Sequence, residues 1–312
     1  MKHFISFSAV IVSVLLLCSC NNETSSVSTD ITHNWTSASE TSTTASVPSA
    51  AQSTNIQTSL EIPTEPTSVK IDETLLIDES GIKITAKRLD FSKSSGPALI
   101  VLIENNSGGD ITVQCRNSSV NGYMIDTIMS ENVSNGKKAN ASITFKKGDL
   151  DTCNISTIAD IVFNFTAFSS DTDERYLENT KINLKTSAAS SYEYKFDDSG
   201  DLIYDENNIR IIAKGIASKN LRTCIVVYIE NNTDTDWTVQ VRDTSVNGFM
   251  INPVFSPVVS GGKRLIGFIS FHDSELAEND IDEINEVETS FIFFENGNNS
   301  LRFNTDILKI KI

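Results

Sequence analysis

From Ile82 onward the apolar residues recur at every second position, in short runs broken by turn residues. That period of two belongs to strands with one face buried. Ile82 to Leu89 alternates. Leu99 to Ile103 is a continuous apolar run whose Leu99, Val101 and Ile103 share one face. Ile111, Val113 and Cys115 alternate with Thr112, Gln114 and Arg116, and Asn121-Gly122 then supplies the residues of a tight hairpin turn. Strands through Ile143–Phe145 and Ile161–Phe168 follow, with Phe163, Phe165 and Phe168 as core candidates. Asp149-Leu150 reads as a single helical turn with an acidic start. Ile182 and Leu184 close the series. Long windows at helical period are missing, so strands are the main element.

The series then occurs again. Ile103–Gly122 returns at Ile229–Gly248, 126 residues on and without a gap, and 13 of the 20 positions are identical. A fixed internal period sets the architecture before any other reading. Leu99, Val101 and Ile103 become Ile225, Val227 and Ile229, so that face is core in both copies. Gly136-Lys137-Lys138 matches Gly262-Lys263-Arg264, and Asp273 to Leu276 repeats the helical turn. Upstream the offset is 127, pairing Ile82-Lys83-Ile84 with Ile209-Arg210-Ile211, which places a one-residue change near Leu221. The repeats therefore span 71–186 and 192–312. Seven or eight short strands in each, with turn signals between, fit an antiparallel sandwich of immunoglobulin type. Tyr192, Tyr194 and Phe196 alternate between the repeats and read as the start of the second copy's first strand.

The N-terminus differs. Met1-Lys2-His3 is a short basic start, and Phe4 to Leu17 is almost wholly apolar but short for a membrane span. It ends in Leu17-Cys18-Ser19-Cys20, which resembles the bacterial lipobox and makes Cys20 the expected lipid-attachment site. Residues 1–20 are thus read as a lipoprotein signal peptide. Residues 21–70 hold 22 Ser and Thr among 50 positions, too polar to offset the entropy of ordering, and are read as a disordered tether. The Asn-x-Ser/Thr triplets there are accidents of composition in a bacterial setting.

Glu104-Asn105-Asn106, Val120-Asn121-Gly122 and the Gly136-Lys137 turn, with their second copies, resemble the tandem immunoglobulin-like (telokin-like) domains of uncharacterised lipoproteins from Gram-positive bacteria. The resemblance covers both repeats. It implies an all-β fold and a cell-surface setting, lipid-anchored on the outside of the membrane, and it implies no activity.

A net charge of −16 argues against nucleic acid as a partner. Of three histidines only His272 lies in a repeat, so a clustered transition-metal site is not expected. Acidic loops at Asp171–Glu174, Asp197–Asp201 and Asp234–Asp236 lack the spacing of a complete calcium loop and read as solvated turns. Ser134-Asn135-Gly136-Lys137 and Ser260-Gly261-Gly262-Lys263 match Ser-x-x-Lys, but their central Asn-Gly and Gly-Gly disfavour the helix that chemistry needs. They read as turns, and no cofactor or catalytic group is expected. Cys115 reads as a core residue and a Cys115–Cys153 bridge stays open. Trp237 aligns with Ile111 and reads as core rather than as a sugar platform.

One pattern points to a partner. The inward set Ile111, Val113, Cys115 changes to Trp237, Val239, Val241, while the outward set Thr112, Gln114, Arg116 is unchanged as Thr238, Gln240, Arg242. Exposed positions ordinarily change most freely. Two explanations fit: Arg116 and Arg242 pair with a carboxylate on the neighbouring strand, or Gln114, Arg116, Gln240 and Arg242 form a duplicated contact face. The expected function is a surface module that binds or scaffolds another envelope component, protein or polysaccharide. The alternative is a glycan-binding accessory to a surface enzyme.

Overall fold

The computed structural model describes residues 69–172, 174–220 and 222–312, with the side chains of 299–301 left aside. All of these belong to one compact unit, Pro63–Ile312. The expected signal segment, Cys20 and the tether as far as residue 68 lie outside the described residues. Lys70, at the expected tether's end, exchanges hydrogen bonds with Ser187 (3.0 and 2.8 Å).

The described residues are all-β with two short helices. The first half carries β1 (Thr74–Glu79), β2 (Ile82–Asp90), β3 (Ala98–Asn105), β4 (Ile111–Val120), β5 (Tyr123–Met124), β6 (Thr127–Ile128), β7 (Ser130–Val133), β8 (Lys137–Phe145), α1 (Lys147–Thr152), β9 (Asp160–Ser169) and β10 (Arg175–Lys185). The second carries β11 (Asp201–Glu206), β12 (Ile209–Lys219), β13 (Arg222–Asn231), β14 (Trp237–Val246), β15 (Phe249–Met250), β16 (Val258–Val259), β17 (Arg264–Ser270), α2 (Asp273–Glu278), β18 (Glu286–Glu295), β19 (Asn298–Asn304) and β20 (Leu308–Lys311).

In the first half one sheet runs β1-β2-β3-β8-β6 and the other β10-β9-β4, with β5 and β7 on the outer edge of β4. The second half repeats the plan as β11-β12-β13-β17 and β15-β14-β18-β19, with β16 beside β14 and β20 beside β18. Inward residues of both sheets meet in one apolar cluster per half. Leu99, Val101, Ile103, Ile225, Val227 and Ile229 are all fully buried, as their alternation requires. The one-residue change of offset falls in the hairpin between β12 and β13, where an insertion or deletion disturbs no core residue.

Two expectations need correction. Phe168 is only half-buried; strict alternation from Phe163 and Phe165 turns Ala167 inward and Phe168 outward. The Tyr192–Phe196 segment is not a strand, and the second half's first strand begins at Asp201. The alternation there has another cause. Tyr194 donates to the carboxylate of Asp160, and Phe196 packs edge-on against Tyr123 at 5.3 Å.

The identical positions have structural jobs. Asn105, fully buried at the end of β3, donates to the carbonyls of Gly109 and Val133 (both 2.8 Å) and accepts from the Ser107 backbone and hydroxyl. Asn231 does the same with Thr235, Val259 and Thr233. Asn121 and Asn247 take φ of 50° and precede glycines at 85° and 88°, the left-handed pair of a type I′ hairpin. Their side chains also tie down the approach to β9 and β18: Asn121 donates to Thr157 O, Asn247 to Glu283 O. Asp110 and Asp236 each accept a backbone N–H at 2.9 Å, from Asn135 and Gly261.

Removing a buried amide strands the groups it satisfied, at about 1–3 kcal/mol each where they stay buried. Asn231→Ala is therefore expected to lower stability by about 3 kcal/mol, read as an earlier urea midpoint in Trp237 fluorescence. The neighbouring Asn232, equally repeated but exposed, serves as the control, and Asn232→Ala should stay within about 0.5 kcal/mol. Equal effects from the two would show that the buried network does not carry this corner.

Candidate functional site: the cleft between the halves

The two halves meet at one edge. β5 pairs in parallel with the start of β17, Tyr123 opposite Arg264, and joins two sheets into one of nine strands. The Arg264 N–H donates to Gly122 O at 2.9 Å. Its guanidinium stacks 3.7 Å from the Phe196 ring centroid and donates to Glu230 at 2.7 Å. Phe196 also closes over Gly122, whose missing side chain leaves room for the ring. Tyr228 and Ile212 of the second half are buried in the first half's apolar cluster, and burial pushes the Tyr228 phenol up to about 12. Asp197, next to Phe196, is held down to about 2 by hydrogen bonds from the Ser199 side chain, the Ser199 backbone and Lys214.

Beside this joint lies a cleft of about 690 Å³. One wall is β4 where its outer edge is open: β7 pairs with Ile111–Gln114 and β5 with Ser119–Val120. Between them Asn117 adopts φ 48° and β4 bulges away from register with β9. Asp243, at φ 51°, repeats the bulge in β14. The facing wall comes from β17 and from Ser256–Val258.

Gln114 and Arg116 line this cleft. Ser130 Oγ accepts from Gln114 Nε2 at 3.5 Å, and Gln114 Oε1 accepts from the Arg116 guanidinium at 2.5 Å. The second half repeats the relay: Gln240 donates to Ser256 at 3.1 Å and accepts from Arg242, which also donates to Val241 O. Gln240 and Arg242 are not on the cleft wall, but Ser256 is, so the second relay touches the cleft through its serine. The carboxylate expected to pair with Arg116 or Arg242 is not what holds them. The register sets Arg116 opposite Asn164 and Arg242 opposite Ser290, so the adjacent strand offers amide and hydroxyl instead.

The rest of the lining mixes charge with apolar surface. Lys219 Nζ stands 4.0 Å over the Phe268 ring and 4.0 Å from Asp149. Asp149 accepts from the Asp126 N–H at 3.1 Å, and Asp126 pairs with Lys146 at 2.7 Å, which raises the Lys146 ammonium above its usual range. Met124, Met129 and Ile266 supply pliable apolar contact. Cys115 and Cys153 also line the cleft, both as free thiols, so the bridge left open by the sequence is not formed here. Burial pushes each up to about 12; Thr127 opposes this weakly at Cys115, and Asp149 reinforces it at Cys153.

The other sequence candidates lie elsewhere. Ser134–Lys137 and Ser260–Lys263 are tight turns, each closed by a 3.0 Å backbone bond with the glycine at φ 70° or 69°. Among the acidic loops, Asp197 is engaged by Ser199 and Lys214, Asp198 by Arg210, and Asp236 by Gly261. No three His, Cys, Asp or Glu side chains among the described residues are grouped to hold a metal. Trp237 is buried and donates to Thr233. The cleft itself had no sequence signal beyond the constancy of Gln114 and Arg116, because it forms between distant segments.

No family model matches the chain, and no curated protein matches it. Among solved structures the chain is similar to a crystal structure of the YadV chaperone, at 9% identity and a TM-score of 0.24 over 74% of this chain and 100% of that one. A score that low carries no argument.

Thiols raised to about 12 are almost wholly protonated at pH 8. Iodoacetamide should therefore modify Cys153 in the folded chain at least about a hundredfold more slowly than a free peptide thiol, whose pKa is about 8.5. The rate should climb about tenfold per pH unit through pH 10, where the peptide's has already levelled off. A plateau near pH 8.5 by mass spectrometry would show an accessible, ordinary thiol.

Proposed function

We propose that this chain is a lipid-anchored protein of the bacterial cell surface whose two β-sandwich halves, of immunoglobulin-like type, bind another envelope component. The observation that carries the reading is the duplicated Ser–Gln–Arg relay. In both halves it ends in an exposed guanidinium held by an amide oxygen rather than a carboxylate, within a chain of net charge −16. A planar donor fork held in place and, among the described residues, without a counter-ion suits an acidic or polar partner group. In the first half that fork faces the cleft, where Lys219 adds a second cation and methionines add adaptable surface. Burial holds the thiols of Cys115 and Cys153 protonated, so the cleft offers them as contact surface rather than as nucleophiles. The partner is an envelope protein or polysaccharide, reached from a membrane anchor at Cys20.

Two experiments test this. Arg116→Ala combined with Arg242→Ala should leave the melting temperature nearly unchanged, since each exposed side chain contributes within about 0.5 kcal/mol. The same variant should lose most capture of components from an envelope extract. An earlier melt with capture intact would make the relay a purely structural device. Separately, Cys20→Ala should shift the chain from the membrane fraction to a soluble or unprocessed form; continued membrane fractionation after signal removal would end the lipid-anchor reading.

A further inference from the structure

The joint between the halves has two sides, and duplication leaves one copy of each side unused. The donor side is the hairpin tip after β4: Gly122 accepts from Arg264, and Tyr123 is 3% exposed against Phe196 and the second half. Its second-half counterpart is Gly248-Phe249-Met250, the tip after β14. There Phe249 is 48% and Met250 67% exposed, Val254 nearby is exposed too, and nothing lies within 4 Å of where a Gly248 side chain would begin. An apolar β-edge left bare in this way is a pairing site.

The acceptor side is the start of β17, with Lys263 and Arg264, and Glu230 beneath them. Its first-half counterpart is the start of β8, with Lys137, Lys138 and Glu104. The ion pair is kept: Lys138 meets Glu104 at 2.5 Å as Arg264 meets Glu230 at 2.7 Å. Yet Lys138 is 64% exposed where Arg264 is 20%, because β8 pairs with β6 only at Thr144 and Phe145 and, among the described residues, its first residues have no strand beyond them. The charges on the two free sides are complementary. In the internal joint Asp160, beside the donor tip, acts on half-buried Lys263. Their counterparts are Glu286 and Lys137; the Glu286 carbonyl accepts from Asn247, and its carboxylate shares Lys309 with Glu288 at 2.9 and 3.1 Å, two acids to one base. Lys83 and Lys87 add positive charge around Glu104.

We infer that this chain associates head to tail with a second copy of itself, the Gly248–Met250 tip of one molecule adding to the Lys137–Ala139 edge of the next. The contact repeats between molecules the joint that links the two halves within one. An interface between different surfaces of identical chains propagates unless the rotation closes it, so the product is an open row or a ring. The intermolecular joint is weaker than the internal one. The acceptor offers Leu102, Asn140 and Val69 where the internal joint has Tyr228, Ile266 and Phe196, and the benefit of covalent connection is gone.

Sedimentation velocity of the full chain over a range of concentrations tests this. The weight-average coefficient should rise with concentration, and rise less in high salt, since the flanking charges are exposed. Phe249→Asp, at an exposed position, should melt as the parent does and weaken association by about tenfold or more. Lys137→Glu and Glu286→Lys should each weaken it alone, because each sets like charges against one another. An equimolar mixture of those two variants should restore it, since every mixed contact again joins opposite charges. A coefficient independent of concentration would overturn the inference, as would undiminished association of Phe249→Asp. Loss in Phe249→Asp without rescue in the mixture would also overturn it, by pointing to tip-to-tip contact instead.

Discussion

The corner held by Asn105, and again by Asn231, decides the rest of each half. There the chain leaves one sheet at the end of β3 and enters the other at β4. The buried amide binds the carbonyl before β4 and the carbonyl at the end of β7 together, and its oxygen fixes the turn between. A one-residue slip would reverse every side chain of β4, sending Ile111 and Val113 outward and Gln114 and Arg116 into the core. Four hydrogen bonds from one side chain set that register, and the second copy repeats them within 0.1 Å. The outward face, the open edge of β4 and the cleft all follow from where β4 begins.

The same plan yields different surroundings in the two copies because only one joint exists. Tyr123 is sealed and Phe249 is bare, though both follow an Asn-Gly turn whose φ angles agree within 3°. The residues that receive the joint have diverged accordingly. Tyr228, Ile266 and Phe196 are apolar or aromatic where the first half has Leu102, Asn140 and Val69. Arg264 stacks on Phe196 and pairs with Glu230 at the same time, while its backbone N–H closes the strand edge; Lys138 keeps the ion pair alone. A planar guanidinium can lie flat on a ring and still donate in its plane, and an ammonium cannot.

Much of this was legible in sequence because strand alternation and turn chemistry are local. The core face of Leu99–Ile103, the Asn-Gly hairpins and the single helical turns each need only neighbouring residues to be read. Phe168 was misplaced for want of strict parity: size suggested burial where the pleat assigns the outer face. Tyr192–Phe196 misled for the opposite reason, since its alternation is real but serves contacts with Asp160 and Tyr123 rather than a ladder. The cleft was out of reach. Gln114 and Cys153 come from distant parts of the first half and Ser256 from the second, which the joint of β5 with β17 and the burial of Tyr228 and Ile212 set against it. The constancy of Thr-Val-Gln-x-Arg marked one wall of it without revealing the other.

Internal duplication works as a comparison between two solutions to one folding problem. Positions needed by the fold should be identical in both and should show the bonds that require them. Asn105, Asp110, Asn121 and Glu104 meet that standard, each with a matched bond in the other half, and Gly122 matches Gly248 in its positive φ. Arg116 and Arg242 do not. Both are exposed, and among the described residues neither holds an acid. In turn, each is held by a glutamine that a serine steadies, so the order of support runs outward, from β7 or the Ser256 segment to the guanidinium. A side chain that stabilised the fold would sit at the start of such a chain of support, not at its exposed end. Within each half the relay ties β4 or β14 to the segment beside it, and Arg242 also donates to Val241 O; under the proposed function, the constancy of its exposed end is read as a contact with a partner.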